Sequence, residues 1–327
     1  MSAPENPDWM IETVKGVPED DVMRRVRALA ADAEDSDGNP PLSEQTLVEL
    51  GTGDDPDAVL GAYAYLSEGE GRESGELVGV GVAVQPRSAG GTGTLELVVH
   101  PDYRNDGIGT ALLGVLGAQT DLQRLNAWSH GNHDAAARLA ERHGFAPVRE
   151  LWRMRLVHTG EVPASALPEG VSIRAFVPGV DEDAWLAANA EAFAGHAEQG
   201  AMTRADLDAR MREDWFDPTG FLLAVDARDR ILGFHWTKVH PAVASRTTGE
   251  HHALGEVYVV GVVPEARGTG LGRALTLAGI AHLRSLGLEA VMLYVDADNT
   301  AAVRLYRELG FTRWDVDVMY AAGAAAG

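Results

Sequence analysis

Residues 254–283 read LGEVYVVGVVPEARGTGLGRALTLAGIAHL, and the order of elements in this stretch decides the fold. Val257-Tyr258-Val259-Val260-Gly261-Val262 is rich in β-branched residues, the composition of a buried strand. Pro264 ends it, because proline has no N–H to give to a ladder. The glycine-rich turn Arg267-Gly268-Thr269-Gly270-Leu271-Gly272 follows. Ala274, Leu275, Leu277, Ile280, Ala281 and Leu283 then recur at helical spacing, so the turn stands at a helix N-terminus. N–H groups there lack intrahelical partners, and the helix dipole adds partial positive charge. Glycines let the backbone close around an anion such as a pyrophosphate, which makes strand, turn and helix an anion cradle.

Two common anion loops do not fit. A nucleoside-triphosphate loop ends in Gly-Lys-Ser/Thr, whereas Gly272 is followed by Arg273-Ala274. The dinucleotide fingerprint spaces its glycines G-x-G-x-x-G, and this turn gives G-x-G-x-G. The turn resembles the acyl-CoA loop of the GNAT acetyltransferase superfamily, Arg/Gln-x-x-Gly-x-Gly/Ala, with Arg267, Gly270 and Gly272 at its fixed positions.

Upstream, the pattern repeats. Leu95-Glu96-Leu97-Val98-Val99-His100-Pro101 is followed by Arg104-Asn105-Asp106-Gly107-Ile108-Gly109 and a helix from Thr110. Pro101 to Pro264, Gly107 to Gly270 and Gly109 to Gly272 are each a shift of 163. Ala135 to Leu139 and Gly144-Phe145 echo Ala301 to Leu305 and Gly310-Phe311 at a shift of 166. Duplicated domains with one small loop difference give this pattern. The fold expected is α/β (α+β): two tandem GNAT domains, each a mixed, mostly antiparallel sheet flanked by helices. The expected boundaries are 1–158 for the N-terminal domain, 159–170 for a linker and 171–327 for the C-terminal domain. Glu19 to Ala31 and Thr203 to Trp215 read as helices, Asp32 to Asp37 as an acidic loop, Phe311 to Tyr320 as the closing strand and Ala321 to Gly327 as a frayed tail.

The net charge of −22 over 327 residues argues against a nucleic-acid surface and against an anionic membrane. The absence of cysteine excludes disulfides, thiolate metal sites and cysteine nucleophiles. MSAPENPDWM has neither a basic n-region nor an apolar run, and no stretch is apolar enough to span a bilayer. The expectation is a cytoplasmic monomer acting on a small molecule. His130 with His133, and His251 with His252, lack a third ligand at recognisable spacing, so no metal is expected and exposed histidines are.

Acyl transfer to an amine needs a base for the ammonium, donors for the thioester carbonyl and an acid for the departing thiolate. Glu256, on the strand among apolar neighbours, is the candidate base; the alternative is an edge carboxylate facing water. Tyr306 is the candidate acid, standing where GNAT enzymes place a tyrosine against the CoA sulfur, or else a core tyrosine of Val303-Leu305-Tyr306-Leu309. Asn299 is a hold for the CoA arm or an ordinary N-cap. At the repeat shifts, the first half has Gly93 for Glu256, Ala140 for Tyr306 and His133 for Asn299. It also has Asp106 for Thr269, a charge costing on the order of 1–3 kcal/mol beside a pyrophosphate. The reading is one catalytic and one degenerate domain.

Almost the whole chain resembles the mycothiol synthase family of tandem GNAT enzymes. The resemblance is carried by residues 193–200 (FAGHAEQG), 233–241 (GFHWTKVHP), 255–262 (GEVYVVGV) and 293–299 (LYVDADN). It implies acetyl transfer from acetyl-CoA to the cysteinyl amine of cysteinyl-glucosaminyl-inositol. It further implies that Glu44, Glu198, Lys238, Glu256 and Tyr294 contact that substrate, with Glu256 as base and Tyr306 as acid. Acetyl-CoA would lie on Val260, Gly261 and Val262, on Arg267, Gly268, Thr269, Gly270, Leu271, Gly272 and Arg273, and on Asn299, Thr300, Ala301, Ala302, Val303 and Arg304. A first-domain CoA site would use Leu97, Val98, Val99, Asn105, Asp106, Gly107, Ile108, Gly109 and Thr110. Asn105-Asp106 depart from a usually basic loop, and the 242–253 loop is long. The residues alone leave two rivals: an acetyltransferase for another amine or a peptide N-terminus, and a non-catalytic acyl-CoA-binding regulator.

Overall fold

The computed structural model describes residues 9–52, 55–67, 75–86, 91–157, 162–163, 166–195, 197–240 and 253–323. Much of the expected linker, the loop 242–252 with His251 and His252, and the tail beyond Gly323 lie outside them.

The elements run β1 (Trp9–Lys15), α1 (Asp20–Asp37), α2 (Glu44–Thr52), β2 (Val59–Leu66), β3 (Leu77–Val84), β4 (Gly93–Val99), α3 (Ile108–Gly117), β5 (Leu125–Ser129), α4 (Asp134–Arg142) and β6 (Phe145–Val157). The second half follows with β7 (Ser172–Ala175), α5 (Glu182–Ala192), α6 (Ala197–Gly200), α7 (Arg204–Arg210), β8 (Phe221–Val225), β9 (Ile231–His240), β10 (Leu254–Val262), α8 (Leu271–Ser285), β11 (Ala290–Asp296), α9 (Thr300–Glu308) and β12 (Thr312–Ala322).

The chain divides into two compact units, Met1–Leu151 with Asp315–Gly327, and Trp152–Trp314. This departs from the contiguous halves expected, because each unit takes its closing strand from the other half of the sequence. In the first unit the strands are ordered β1-β2-β3-β4-β5-β12, and Val318–Tyr320 of β12 pair antiparallel with Ala127–Ser129 of β5. Val318 and Tyr320 pack on Phe145 in an apolar cluster of that unit. In the second unit the order is β7-β8-β9-β10-β11-β6, and Met154 of β6 is buried with Val291, Leu293 and Phe311. In each unit one pair, β4 with β5 and β10 with β11, is parallel, and the strands on the β1 and β7 sides of it pair antiparallel.

The first unit packs α1 and α2 on one group of sheet residues (Tyr63, Val80, Val82, Val98) and α3 on another (Ala62, Ala64, Leu95). The second unit is built around Trp185, fully buried, with Phe221, Phe234 and Trp236 edge-on to its ring at 5.3–5.8 Å. Helix α8 lies close on β9 because Gly279 has no side chain: a Cβ there would stand 2.1 Å from the His235 ring. The His235 Nδ1–H donates to the Leu275 carbonyl at 2.8 Å, and burial pushes its pKa down to about 4, so the ring is neutral.

Several local expectations are corrected. The acidic run Asp32–Asp37 continues α1 rather than looping, and Gly38 in the left-handed region (φ 74°) closes it with a bond to the Glu34 carbonyl. Acidic side chains on the solvated face of a helix do not break it. Helix α7 stops at Arg210, short of Trp215, whose indole packs against the second unit's core instead. Ala321 and Ala322 are not frayed but belong to β12, and Gly323 donates to the Gly144 carbonyl at 2.9 Å.

His130 is not exposed. It lies between Glu96 and Asp317, at 3.2 and 3.1 Å, and Glu96 also accepts from the Ser43 amide at 2.9 Å. These ionic bonds tie β4, β5, β12 and the start of α2 together. Burial alone would lower the pKa of the ring, but hydrogen bonds and charge from Asp317 and Glu96 raise it to about 9. That is above the unfolded value, so the stabilisation is complete below about pH 6.5 and is lost as pH rises through about 9. Denaturant unfolding of wild type against His130→Gln at pH 6 and 9.5 should show a stability gap that shrinks by on the order of 3 kcal/mol. A gap independent of pH would refute the ion pairing.

Candidate active site

The site begins where two parallel strands part. Pairing of β10 with β11 joins Gly255, Glu256 and Val257 to Val291, Met292 and Leu293. Beyond Val257, β10 continues to Val262 paired only with β9, as far as Val262 against Gly233. Backbone groups of Val260–Val262 on the side facing away from β9 are thereby left out of the β11 ladder. A bulge between Val257 and Val259 adds one residue to β10 at this point, which bends the strand.

The opening leads to the anion cradle. Gly268 and Gly270 lie in the left-handed region (φ 78° and 86°), and α8 starts at Leu271. Arg267 does not stand free in this loop. Its Nη2 donates to the Ala192 carbonyl at 2.7 Å and its Nε to the Val262 carbonyl at 3.3 Å, so it braces the cradle against α5 and the end of β10. Arg273 lies 3.9 Å from Glu308. Asn299 Oδ1 accepts from the Ala302 amide and caps α9, whose first turn carries Thr300, Ala301, Ala302 and Val303; Arg304 is exposed and bonded to Glu308.

Glu256 sits on β10 just before the strands part, 6% exposed, opposite Lys238 on β9 and Met292 on β11. It is therefore not an edge carboxylate facing water. Its Oε2 is 2.6 Å from Nε2 of His240. The Lys238 ammonium lies over the rings of Trp215 and Tyr258, at 4.6 and 5.4 Å from their centroids. Tyr294 on β11 has the Arg153 guanidinium 5.7 Å from its ring centroid. Tyr306 shares one apolar cluster with Val257, Leu293 and Val303, and Val260 packs against it. Its ring meets Phe311 at 5.7 Å, and burial pushes the phenol up to about 12, so it keeps its proton at neutral pH.

Glu44 and Glu198 are the other two expected substrate contacts. Glu44 opens α2 in the first unit. Glu198 lies on α6, with its side chain outside the described residues. Sequence reasoning missed His240 and the Trp215–Tyr258 pair. The signal for His240 was its place two residues beyond Lys238, on the same face of β9.

The first unit repeats the opening without the buried carboxylate and phenol. Strands β4 and β5 pair over Gly93–Leu95 and Leu125–Ala127 and then part, and Gly107 (φ 86°) starts α3. A cavity of about 840 Å³ opens there, lined by Leu97, Val98, Val99, Asn105, Gly107, Ile108, Gly109 and Thr110. Arg104 copies Arg267, donating to the Val99 carbonyl at 3.2 Å while its Nη atoms hold Asp37 at 2.8 and 2.7 Å. Strand β4 pairs with β3 without a bulge, so the residue matching Glu256 in the ladder is Thr94, not Gly93. Neither carries a carboxylate, and Ala140 stands on α4. Among the described residues no group of three His, Asp or Glu could hold a metal, and no helix is long and apolar enough to cross a membrane.

Residues 185–311 match the acetyltransferase (GNAT) family, and 64–147 match a GNAT acetyltransferase domain. Mycothiol acetyltransferase of Arthrobacter sp. (strain FB24) is 59% identical over 97% of both chains. That of Pseudarthrobacter chlorophenolicus is 57% identical over 97% of this chain and 98% of the relative. A GCN5-related N-acetyltransferase from Sphaerobacter thermophilus superposes with a TM-score of 0.68 at 26% identity, covering 95% of this chain and 94% of its own. A tandem GNAT protein from the clavulanic acid biosynthesis pathway gives 0.68 at 21% identity, over 97% of this chain and 100% of its own, a likeness of fold.

The cradle depends on backbone angles, and a Cβ at Gly270 meets nothing within 4 Å. Gly270→Ala should therefore cost only backbone strain, about 1 kcal/mol, seen as a fall of about 2–4 °C in Tm. Gly270→Asn, which tolerates the left-handed region, should lose less; equal losses would place the cost elsewhere.

Proposed function

We infer the activity from one premise: the chain belongs to the mycothiol acetyltransferase family. The second unit moves acetyl from acetyl-CoA to the cysteinyl amine of cysteinyl-glucosaminyl-inositol. The observation that carries this reading is that the unit whose parted strands open beside a glycine cradle also holds a buried carboxylate and a buried phenol. The other unit has Thr94 and Ala140 in their stead.

The cradle suits acetyl-CoA chemically: left-handed glycines at a helix N-terminus suit a pyrophosphate, and the free edge of Val260–Val262 suits an amide-bearing arm. We assign its binding to Val260–Val262, Arg267–Arg273 and Asn299–Arg304, with the Arg267 side chain also holding the loop in shape. Bound there, acetyl-CoA supplies an activated thioester. Glu256 accepts a proton from the acceptor ammonium, whose pKa near 8 asks only for a mild base. Amides at the end of β10 stabilise negative charge on the carbonyl oxygen. Tyr306, still protonated, gives its proton to the departing sulfur.

Lys238 and Tyr294, with Glu198 and Glu256, are the proposed contacts to the polyhydroxylated acceptor. Glu44, in the first unit, rests on the resemblance alone. A CoA-type ligand in the first unit's cavity fits the same logic, with no acetyl transfer. We take the protein as a cytoplasmic monomer, and the net charge of −22 disfavours nucleic-acid and anionic-membrane partners.

The test is mass-spectrometric detection of product from acetyl-CoA and the pseudodisaccharide beside a panel of simple amines. Selective N-acetylation supports the reading; turnover on other amines alone replaces the acceptor, and no turnover leaves an acyl-CoA-binding regulator. Glu256→Gln should lower kcat by about 10²- to 10⁴-fold with little change in the KM for acetyl-CoA. Tyr306→Phe should also lower kcat selectively. A raised KM at constant kcat would overturn either role.

A further inference from the structure

We propose that His240 is a positioning residue for Glu256: its ring Nε2–H holds one carboxylate oxygen so that the other is presented as the proton acceptor. The proposal rests on the reading of Glu256 as base and adds what makes that base work.

Three observations carry it. The contact between His240 Nε2 and Glu256 Oε2, at 2.6 Å, is slightly shorter than the usual range of about 2.7–2.9 Å for a charge-assisted N–H···O bond. Glu256 is 6% exposed, so few waters reach its carboxylate, and a buried anion must find donors within the protein. Finally, the antiparallel register sets Glu256 opposite Lys238 and Leu254 opposite His240, which puts His240 on the diagonal from Glu256 on one face of the hairpin. The bulge between Val257 and Val259 comes after this register is set, so the strand bends towards the opening while the Glu256–His240 contact stays fixed.

The chemistry gives the contact a direction. An ionised carboxylate only accepts hydrogen bonds, so the imidazole must carry its proton on Nε2, whether neutral or as imidazolium. Held at Oε2, the carboxylate loses its freedom to rotate, and Oε1 remains to take the proton of the attacking amine. The second cation on this face, Lys238, lies against the rings of Trp215 and Tyr258. His240 ends β9 with its side chain 38% exposed. It is thus the partner of Glu256 on the solvent side of a buried base.

The experiment is steady-state kinetics on the full-length protein, with calorimetric titration of acetyl-CoA as a check that each variant is folded. His240→Ala should lower kcat by about 10- to 100-fold, the loss of one charge-assisted hydrogen bond, with the acetyl-CoA KM unchanged. His240→Gln, whose amide can donate in the same place, should recover most of that loss. In a Glu256→Gln background, His240→Ala should cost nothing further, because the residue it acts through is gone.

If Glu256→Gln keeps full kcat, the base reading itself fails. If Glu256→Gln is slow but His240→Ala is not, only the positioning role fails. An additive loss in the double variant, or a His240→Gln as poor as His240→Ala, would likewise overturn it, since a purely structural histidine behaves in those ways.

Discussion

Two parallel strands that hold together for three residues and then part impose the constraint on which the rest depends. While β10 and β11 are paired, every backbone group has a partner and the sheet is closed. Past Val257, β10 keeps β9 on one side and opens on the other. A buried backbone edge is tolerated only where something can satisfy it, so the opening is an instruction for a ligand with amide groups. On the proposed reading the cradle lies at the end of the same strand so that the ligand's anionic end reaches the first N–H groups of α8. Arg267 makes that placement rigid by bonding to the carbonyl of Val262, the last residue of the strand. The carboxylate must lie on the closed side, where Glu256 is, for there the sheet shields it from water.

The same constraint is kept in the first unit, where β4 and β5 also part after three paired residues and Arg104 also bonds to the end of its strand. What differs is one residue. The bulge present in β10 is missing from β4, so the two strands are equivalent at the turn but out of step by one in the ladder. The parted strands and glycine turn are kept on both sides of the duplication, and the buried carboxylate and phenol proposed to move protons on one.

Much of this was legible in the sequence because backbone angles leave traces there. Gly107 and Gly270 share a φ of 86°, and Asn105 at 70° stands where Gly268 has 78°, Asn being among the few residues that accept the region. The repeat was therefore written in positions that tolerate little else. Three features left no such trace. A strand pattern such as β12 says that one face is buried but not against which partner, so the exchange of closing strands was invisible. A bulge of one residue hides inside a constant spacing of 163, and only the pairing shows Thr94 rather than Gly93 opposite the base position. A cationic residue in an anion loop reads as a ligand contact, and nothing in the sequence signals that Arg267 also braces the loop through the Val262 and Ala192 carbonyls.

Histidine and carboxylate meet in both units, and the comparison separates chemistry from stability. In the first unit His130 is enclosed by Glu96 and Asp317, and their bonds and charges overcome burial to hold its pKa at about 9. A proton held by two carboxylates inside the core cannot leave without weakening the strands those groups join, so this histidine serves the fold. In the second unit, among the described residues, His240 meets one carboxylate, Glu256, and more than a third of its side chain is exposed. One donor satisfies one oxygen and leaves the other chemically available. A second carboxylate on this ring would compete for the same proton, and a second donor on Glu256 would occupy the oxygen needed for the amine. On the proposed mechanism the pair is useful because one oxygen of Glu256 is held and the other is left for the amine, beside the opening where β10 and β11 have parted.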